Sequence, residues 1–207
     1  MITARIIRKI ICSLQQVWCF LCSLKGERII YLTFDDGPHP VCTEHLLDLL
    51  TKYNIKATFF CVGNNIDKNS NLILRMIHDG HVLGNHTQNH RLVTIKDNIE
   101  LNYEIDACQN LIDNYQEHNI RLFRPPGGLM KIKDVILLLY KKYRIVLWDI
   151  DSLDSKMSNV DNIILRLKIK VSRNCIILFH DDSMLCVDVL VKLLPYWIET
   201  GYSFKLI

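Results

Sequence analysis

The sequence has little proline, little glycine and little net charge. Five prolines and 8 glycines in 207 residues exclude collagen-like and other low-complexity chains. The charge of +3, from 25 Lys+Arg against 22 Asp+Glu, is too small and too dispersed to indicate a nucleic acid as partner. Because 49% of the residues are hydrophobic, we expect one globular domain with a packed core.

The chain also lacks the features of a disulfide-stabilised protein, although it has 8 cysteines. Disulfide frameworks suit short chains that cannot form a core. Several of these cysteines, such as Cys61 and Cys175, lie inside apolar runs, where a thiol behaves as a small hydrophobic side chain. Cys19 and Cys22 form one C-x-x-C pair, but no second pair completes a structural zinc site. We therefore expect reduced thiols and a cytoplasmic location.

Residues 1–27 lack a signal-peptide cleavage pattern and an unbroken apolar stretch. Two glutamines interrupt the apolar run 10–24, whereas a membrane-spanning helix needs about 20 nearly continuous apolar residues. Apolar residues instead recur at helical spacing beside Arg5, Arg8 and Lys9. This pattern predicts an amphipathic helix that packs on the domain. The alternative is a helix on the membrane surface, which would place the protein peripherally at the inner membrane face.

From Ile29 onward, short apolar runs alternate with longer segments of helical periodicity. We predict strands at 29–34, 57–62, 81–84, 121–123, 145–148, 175–180 and 203–207, and helices at 42–53, 69–79, 97–115, 133–142, 160–171 and 186–199. Such alternation is typical of a parallel α/β barrel or a doubly wound sheet. Polar residues collect directly after the strands, at the edge that carries the chemistry in barrels of this kind.

Three of these polar residues could form a metal site. His86 and His90 are four positions apart, so both imidazoles would share one face if the segment were a helical turn. Taken alone, the pair is better interpreted as two surface histidines of an Asn/Gln-rich loop. Asp36, at the mouth of the first strand, adds a carboxylate, and two His plus one carboxylate can hold a catalytic zinc with an open position for water. Its neighbour Asp35 would stay uncoordinated and could take a proton from that water.

Five short motifs follow one another along the chain. They are Thr33–Pro38, His86–His90, Arg124–Gly128, Asp151–Asp154 and Leu178–His180. In this order they resemble the motifs of the polysaccharide deacetylases, the NodB-type carbohydrate esterases of family 4, over residues 28–207. The segment from Pro38 to Thr43 also resembles the chitooligosaccharide deacetylase branch. The resemblance implies a deformed parallel (β/α)7 barrel over residues 28–207, preceded by the helical segment 1–27.

The resemblance also implies a metal centre. Asp36, His86 and His90 would hold one divalent ion, which we expect to be Zn2+, with Co2+, Ni2+ or Fe2+ as alternatives. Asp35 would be the general base. Arg124 would be its ion-pair partner and would favour the charged carboxylate.

His180 would be the general acid that protonates the leaving amine. Asp154 would orient it and favour its charged form. The two residues after His180, Asp181 and Asp182, are expected in a solvated turn.

Two positions depart from the motifs of the family. Gly127 stands where the family usually has an aromatic residue, and Ser155 stands where it has Trp. The backbone N–H of Gly127 could still hold the oxyanion, but part of the wall of a sugar groove would be missing.

These roles imply a metal-dependent hydrolase that removes N-acetyl groups from N-acetylglucosamine-type sugars in an oligosaccharide, a polysaccharide or a glycan precursor. The expected partner is therefore an N-acetylated sugar. An O-acetyl esterase or a deformylase acting on a sugar would use the same centre. A non-catalytic carbohydrate-binding homologue is a further alternative, because two aromatic positions of the groove are lost.

Overall fold

The computed structural model describes residues 3–22, 26–93, 98–116 and 121–207, but not the side chains of 16–22 and 98. The strands in these residues are β1 (Arg28–Asp35), β2 (Thr58–Cys61), β3 (Val82–Asn85), β4 (Arg121–Phe123), β5 (Tyr143–Ile145), β6 (Ile150–Asp151), β7 (Cys175–His180) and β8 (Tyr202–Phe204). The α-helices are α1 (Ala4–Cys22), α2 (Cys42–Lys52), α3 (Gly63–Lys68), α4 (Ser70–His78), α5 (Asn98–Asp113), α6 (Ile132–Tyr140), α7 (Val160–Lys170) and α8 (Met184–Glu199).

All strand pairs are parallel and belong to one sheet, in the order β5-β4-β3-β2-β1-β7-β6. The eighth strand, β8, pairs with the first residues of β1, whereas β2 pairs with its last residues. No pairing joins the end strands β5 and β6 within the described ranges, so the sheet curls without closing. The predicted α/β class and the deformed parallel barrel are confirmed.

The central strand β1 shows how the sheet positions the site. Seven of its eight residues are buried, as expected for a parallel strand that is covered on both faces. Ile30, Leu32 and Phe34 pack in the large core that the sheet shares with the helices. Because successive side chains alternate between the faces, residues 29, 31, 33 and 35 point to the opposite side, where Tyr31 packs in a second cluster. Asp35 thus lies on the inner face at the carboxyl end of β1.

Three elements differ from the sequence-based expectations. The helix α3 was not predicted, because its polar sequence GNNIDK has no apolar periodicity. The strand expected at 145–148 is displaced to Tyr143–Ile145. Beyond that strand, the N–H of Leu147 is bonded by the side chain of Gln15 rather than by a neighbouring strand. The strand β6 was not predicted, because two residues are too few to show a pattern of apolar and polar side chains.

The helix α1 packs beside β5 through a few defined contacts. Ile7 is buried, and the guanidinium of Arg8 lies 4.5 Å from the ring centroid of Trp148. Gln15, which interrupts the apolar run in the sequence, accepts the N–H of Leu147 at 2.9 Å. None of the helices described is long and apolar enough to cross a membrane.

Candidate active site

The polar residues that follow the strands meet at one edge of the sheet. Asp35 ends β1 and His180 ends β7, and these two residues are register partners on neighbouring strands. His86 follows β3, and Arg124 follows β4. Since the strands are parallel, their carboxyl ends form a common rim, which brings these side chains together from distant parts of the sequence.

Asp36, His86 and His90 form a cluster that could hold a metal ion. Their ligand atoms all lie within 4.8 Å of one another. The Oδ1 atom of Asp36 is 3.0 Å from Nε2 of His90 and 3.4 Å from Nε2 of His86. Tetrahedral zinc with bonds of about 2.0–2.1 Å separates its ligand atoms by about 3.3 Å, so these spacings fit. The same Oδ1 is buried and has no well-oriented hydrogen-bond donor, as expected of an oxygen atom that binds a metal ion.

The electrostatics of the cluster also suit a cation. Burial opposes the charge of Asp36, but the two imidazoles that face it hold the pKa of this carboxyl well below its usual value. The side chain of His86 is 2% exposed, whereas that of His90 is 45% exposed. The cluster is therefore buried on one side and open to solvent on the other, where water and a substrate could enter.

The segment 86–90 is a loop and not the helical turn that the H-x-x-x-H spacing suggested. Thr87 and His90 have φ angles of 69° and 53°, in the left-handed region, and Asp36 has a φ of 80°. Such conformations are strained for residues other than glycine and cluster at functional sites. The two imidazoles thus converge because the backbone folds back on itself.

Two residues that the sequence analysis missed hold this loop in place. The side-chain oxygen of Asn85 accepts the N–H of Thr87 at 2.9 Å. The buried carboxylate of Glu104, on α5, accepts the backbone N–H of Asn89 at 2.8 Å and its side-chain amide at 2.7 Å. Glu104 lies in an ordinary helical pattern, so nothing in the sequence marks it.

His86 is oriented by its second ring nitrogen. Its Nδ1 lies 2.7 Å from the carbonyl oxygen of Arg124, which can only accept a hydrogen bond. In a neutral imidazole the proton would therefore be on Nδ1, which leaves the lone pair of Nε2 available to a metal ion. This arrangement is typical of a metal-binding histidine.

Arg124 is fully buried, and each nitrogen of its guanidinium donates a hydrogen bond. It donates to Oδ1 of Asp35 at 2.7 Å and to the hydroxyl of Thr33 at 2.9 Å. It also donates to the carbonyls of Val146 and Leu147, each at 3.2 Å. Arg124 is therefore a buried residue of the site and not a solvated loop side chain.

Asp35 is bonded on one side and open to the cluster on the other. With Oδ1 held by Arg124, its Oδ2 lies 3.6 Å from Nε2 of His86. The structure thus places Asp35 beside the cluster but outside the three-residue ligand group.

His180 and Asp154 form a pair on the far side of Asp35. Nδ1 of His180 is 2.7 Å from Oδ1 of Asp154, and the backbone N–H of His180 donates to Oδ2 at 2.9 Å. Ser152 donates a further hydrogen bond to Oδ1. Burial lowers the pKa of His180, but the hydrogen bond and charge of Asp154 outweigh it and raise the pKa to about 9. The raised pKa favours the positively charged imidazole, the form that a general acid needs.

Gly127 is exposed, with a φ of 70° that favours glycine. A Cβ at this position would lie 3.1 Å from Cδ2 of Leu92. Leu92 therefore fills part of the space that a larger side chain at position 127 would need. Gly127 lines a groove of about 480 Å³ together with Trp148 and Leu153. Its role as an oxyanion donor stays a prediction, as do the roles of the other site residues.

Asp181 and Asp182 lie in a turn, as the sequence predicted, and Asp182 is exposed, but Asp181 is not solvated and is only 1% exposed. Its Oδ1 accepts the N–H of Gly37 at 2.9 Å, and its Oδ2 accepts the hydroxyl of Thr43 at 2.5 Å. Burial raises the pKa of Asp181 to about 7. The expectation failed because the chain turns inward after β7, where the N–H of Asp181 bonds to the carbonyl of Asp35. Asp181 thus clamps the turn that carries Asp36.

We expect Asp181→Ala to weaken metal binding, because Asp36 would lose the clamp that holds its strained backbone. Loss of such an outer contact lowers metal affinity by about 10- to 100-fold, which isothermal titration with Zn2+ would measure. Asp181→Asn keeps an acceptor for Gly37 and should retain most of the affinity. Asp182→Ala, at the exposed neighbouring position, is the matched control. Equal affinity in Asp181→Ala and Asp182→Ala would contradict the clamp.

Comparisons with known proteins show which family the chain belongs to. The family model described as polysaccharide deacetylase matches residues 24–147. A peptidoglycan-N-acetylglucosamine deacetylase of Bacillus cereus is 35% identical over 86% of this chain and 86% of that protein. A chitooligosaccharide deacetylase of Bradyrhizobium is 33% identical over 76% of this chain and 73% of that protein.

The solved structure of the peptidoglycan deacetylase PdaC from Bacillus subtilis is also similar. It superposes with a TM-score of 0.81 at 31% identity and covers 87% of this chain and 88% of that chain. The family match extends over more than half of the chain and includes the residues of the cluster. The chain therefore belongs to the polysaccharide deacetylase family.

Proposed function

We propose that this protein is a metal-dependent hydrolase that removes acetyl groups from N-acetylglucosamine units of a glycan. The observation that carries the proposal is the cluster of Asp36, His86 and His90 beside a carboxylate, Asp35, that is not part of it. The names of the relatives support the substrate, because peptidoglycan-N-acetylglucosamine deacetylase and chitooligosaccharide deacetylase share an N-acetylated sugar.

The donor set of the cluster, two imidazole nitrogens and one carboxylate oxygen, suits Zn2+. An ion held there would polarise the acyl carbonyl and lower the pKa of a water molecule. The opening on the side of His90 would admit both.

Asp35 is placed to accept the proton of the attacking water. Arg124 holds Oδ1 at 2.7 Å, which balances the negative charge and fixes the orientation of the carboxylate, while Oδ2 faces the cluster. A base that is held by a buried partner does not need to reorganise during the reaction.

His180 is placed to protonate the nitrogen of the departing sugar. An amine leaves poorly unless it is protonated, so the reaction needs an acid as well as a base, and this site offers a separate group for each. Asp35 and His180 are neighbours across the β1–β7 pair, with His180 positively charged and Asp35 paired to Arg124. We assign the remaining donor, for the oxyanion, to the N–H of Gly127.

Substitutions can test the separate roles that we propose for Asp35, as the base, and Asp36, as a metal ligand. We expect Asp35→Asn to lower kcat by about 10²- to 10⁴-fold, the usual contribution of a general base, while the protein still binds one equivalent of metal. Asn is preferred to Ala because its side-chain oxygen can still accept the hydrogen bond of Arg124, whereas Ala would leave a buried donor without an acceptor. His180→Ala should also lose activity and keep the metal.

Asp36→Asn is the comparison, because it should lose both metal and activity. Metal content by elemental analysis and turnover would be measured on the same preparations. Loss of the metal from Asp35→Asn would show that Asp35 is itself a metal ligand and that the proposed roles of Asp35 and Asp36 are wrong.

The pH dependence of activity tests the pair of His180 and Asp154. Asp154 stabilises the charged imidazole and raises the pKa of His180, so activity should fall as pH rises through that pKa. In Asp154→Asn the pKa of His180 should be lower, and the fall in kcat/KM should begin at a lower pH. Both proteins would carry the same metal, so the difference reports on Asp154. An unchanged basic limb would contradict the role of His180 as the acid.

The substrate can be tested with a panel of acylated sugars. We expect the zinc-loaded protein to release acetate from N-acetylglucosamine oligomers, and oligomers of different length would report on the extent of the groove. Preferential release of acetate from O-acetylated sugars, or of formate from formylated ones, would indicate an esterase or a deformylase. Sugar binding without any acyl release would indicate a non-catalytic homologue.

A further inference from the structure

An apolar surface extends over α1 and α6, on residues that the proposed chemistry does not use. Ile10 and Leu14 of α1 and Ile132 and Leu139 of α6 line one groove of about 400 Å³. Large apolar side chains on these two helices are 47–86% exposed, namely Ile6, Ile10, Leu14, Ile132, Ile136, Leu139 and Tyr140. We call these seven side chains the α1/α6 face. Exposed apolar patches of this kind mark interaction sites with proteins or membranes.

The face is a fixed feature of the fold. Ile6, Ile10 and Leu14 follow one another at intervals of four, so they form one stripe along α1, whereas Ile7 on the adjacent side is buried in the domain. Arg8 and Gln15 attach the helix to Trp148 and Leu147. The stripe therefore stays exposed while the helix is docked.

The two segments that carry the face are rich in basic residues. The segments 3–15 and 131–144 contain eight basic residues and a single carboxylate, although in the rest of the chain carboxylates outnumber basic residues. That carboxylate, Asp134, is buried and accepts the backbone N–H of Lys131. Four exposed cations, Arg5, Lys9, Lys133 and Lys142, have no carboxylate in salt-bridge contact within the described residues. The apolar stripes are thus bordered by free positive charge.

We propose that the α1/α6 face binds the surface of an anionic lipid membrane. An apolar helical face bordered by Lys and Arg inserts into the boundary between headgroups and acyl chains, and the basic residues add attraction to anionic lipids. The charge excess favours a membrane over a second copy of this chain, because two copies would bring like charges together. The proposal does not depend on the hydrolase activity.

Flotation of the full-length protein with vesicles tests the proposal. We expect it to float with phosphatidylcholine vesicles that contain phosphatidylglycerol, less with pure phosphatidylcholine, and less at high salt. The charge variant Lys9→Glu/Lys133→Glu should reduce binding to the anionic vesicles by about tenfold or more, since each basic residue contributes to the attraction. The apolar variant Ile10→Gln/Leu14→Gln should reduce it similarly.

Matched controls separate the face from general effects of substitution. Leu165→Gln/Ile169→Gln removes two apolar side chains of α7 that are 60% and 74% exposed, and Lys52→Glu/Lys68→Glu reverses two exposed charges elsewhere. Both controls should float like the original protein, and circular dichroism would verify that all variants are folded.

Three results would overturn the proposal. They are no flotation of the original protein, equal flotation of the α1/α6 variants and the controls, or a lipid-free dimer, seen by sedimentation, that Ile10→Gln/Leu14→Gln dissociates. In the last case, a second copy covers the face.

Discussion

Arg124 is the residue on which the geometry of the candidate site depends. Its buried guanidinium holds the carboxylate of Asp35, and its backbone carbonyl orients the imidazole of His86. One residue thus sets the position of the proposed base relative to one of the proposed metal ligands. A buried arginine is stable only when its donors are satisfied, so the bonds to Thr33 and to the carbonyls after β5 are required for the site as well as for the fold.

Much of this arrangement was predictable from the sequence. Alternation of apolar runs and helical segments predicts a parallel sheet, and the carboxyl ends of parallel strands share one rim. Polar residues that follow buried strands, such as Asp35, Arg124 and His180, must therefore meet there. What the pattern could not give is the distance between them, which depends on how far the sheet curls.

The features that were missed depend on local backbone conformation or on distant contacts. The spacing of His86 and His90 suggests a helix, yet the ligands converge through left-handed residues in a loop. The clamp by Asp181 requires the chain to turn inward after β7, and the support by Glu104 comes from a helix beyond the loop. In each case the partner is distant in sequence or the conformation is unusual, so neither composition nor periodicity carries a signal.

An anomalous difference map at the zinc edge, from crystals of the protein grown with Zn2+, would show whether Asp36, His86 and His90 bind one metal ion. We expect a single strong peak within about 2.0–2.2 Å of one oxygen of Asp36 and one nitrogen each of His86 and His90, with Asp35 uncoordinated and still bonded to Arg124. A peak that Asp35 ligates, or imidazoles that share no ion with Asp36, would contradict this expectation.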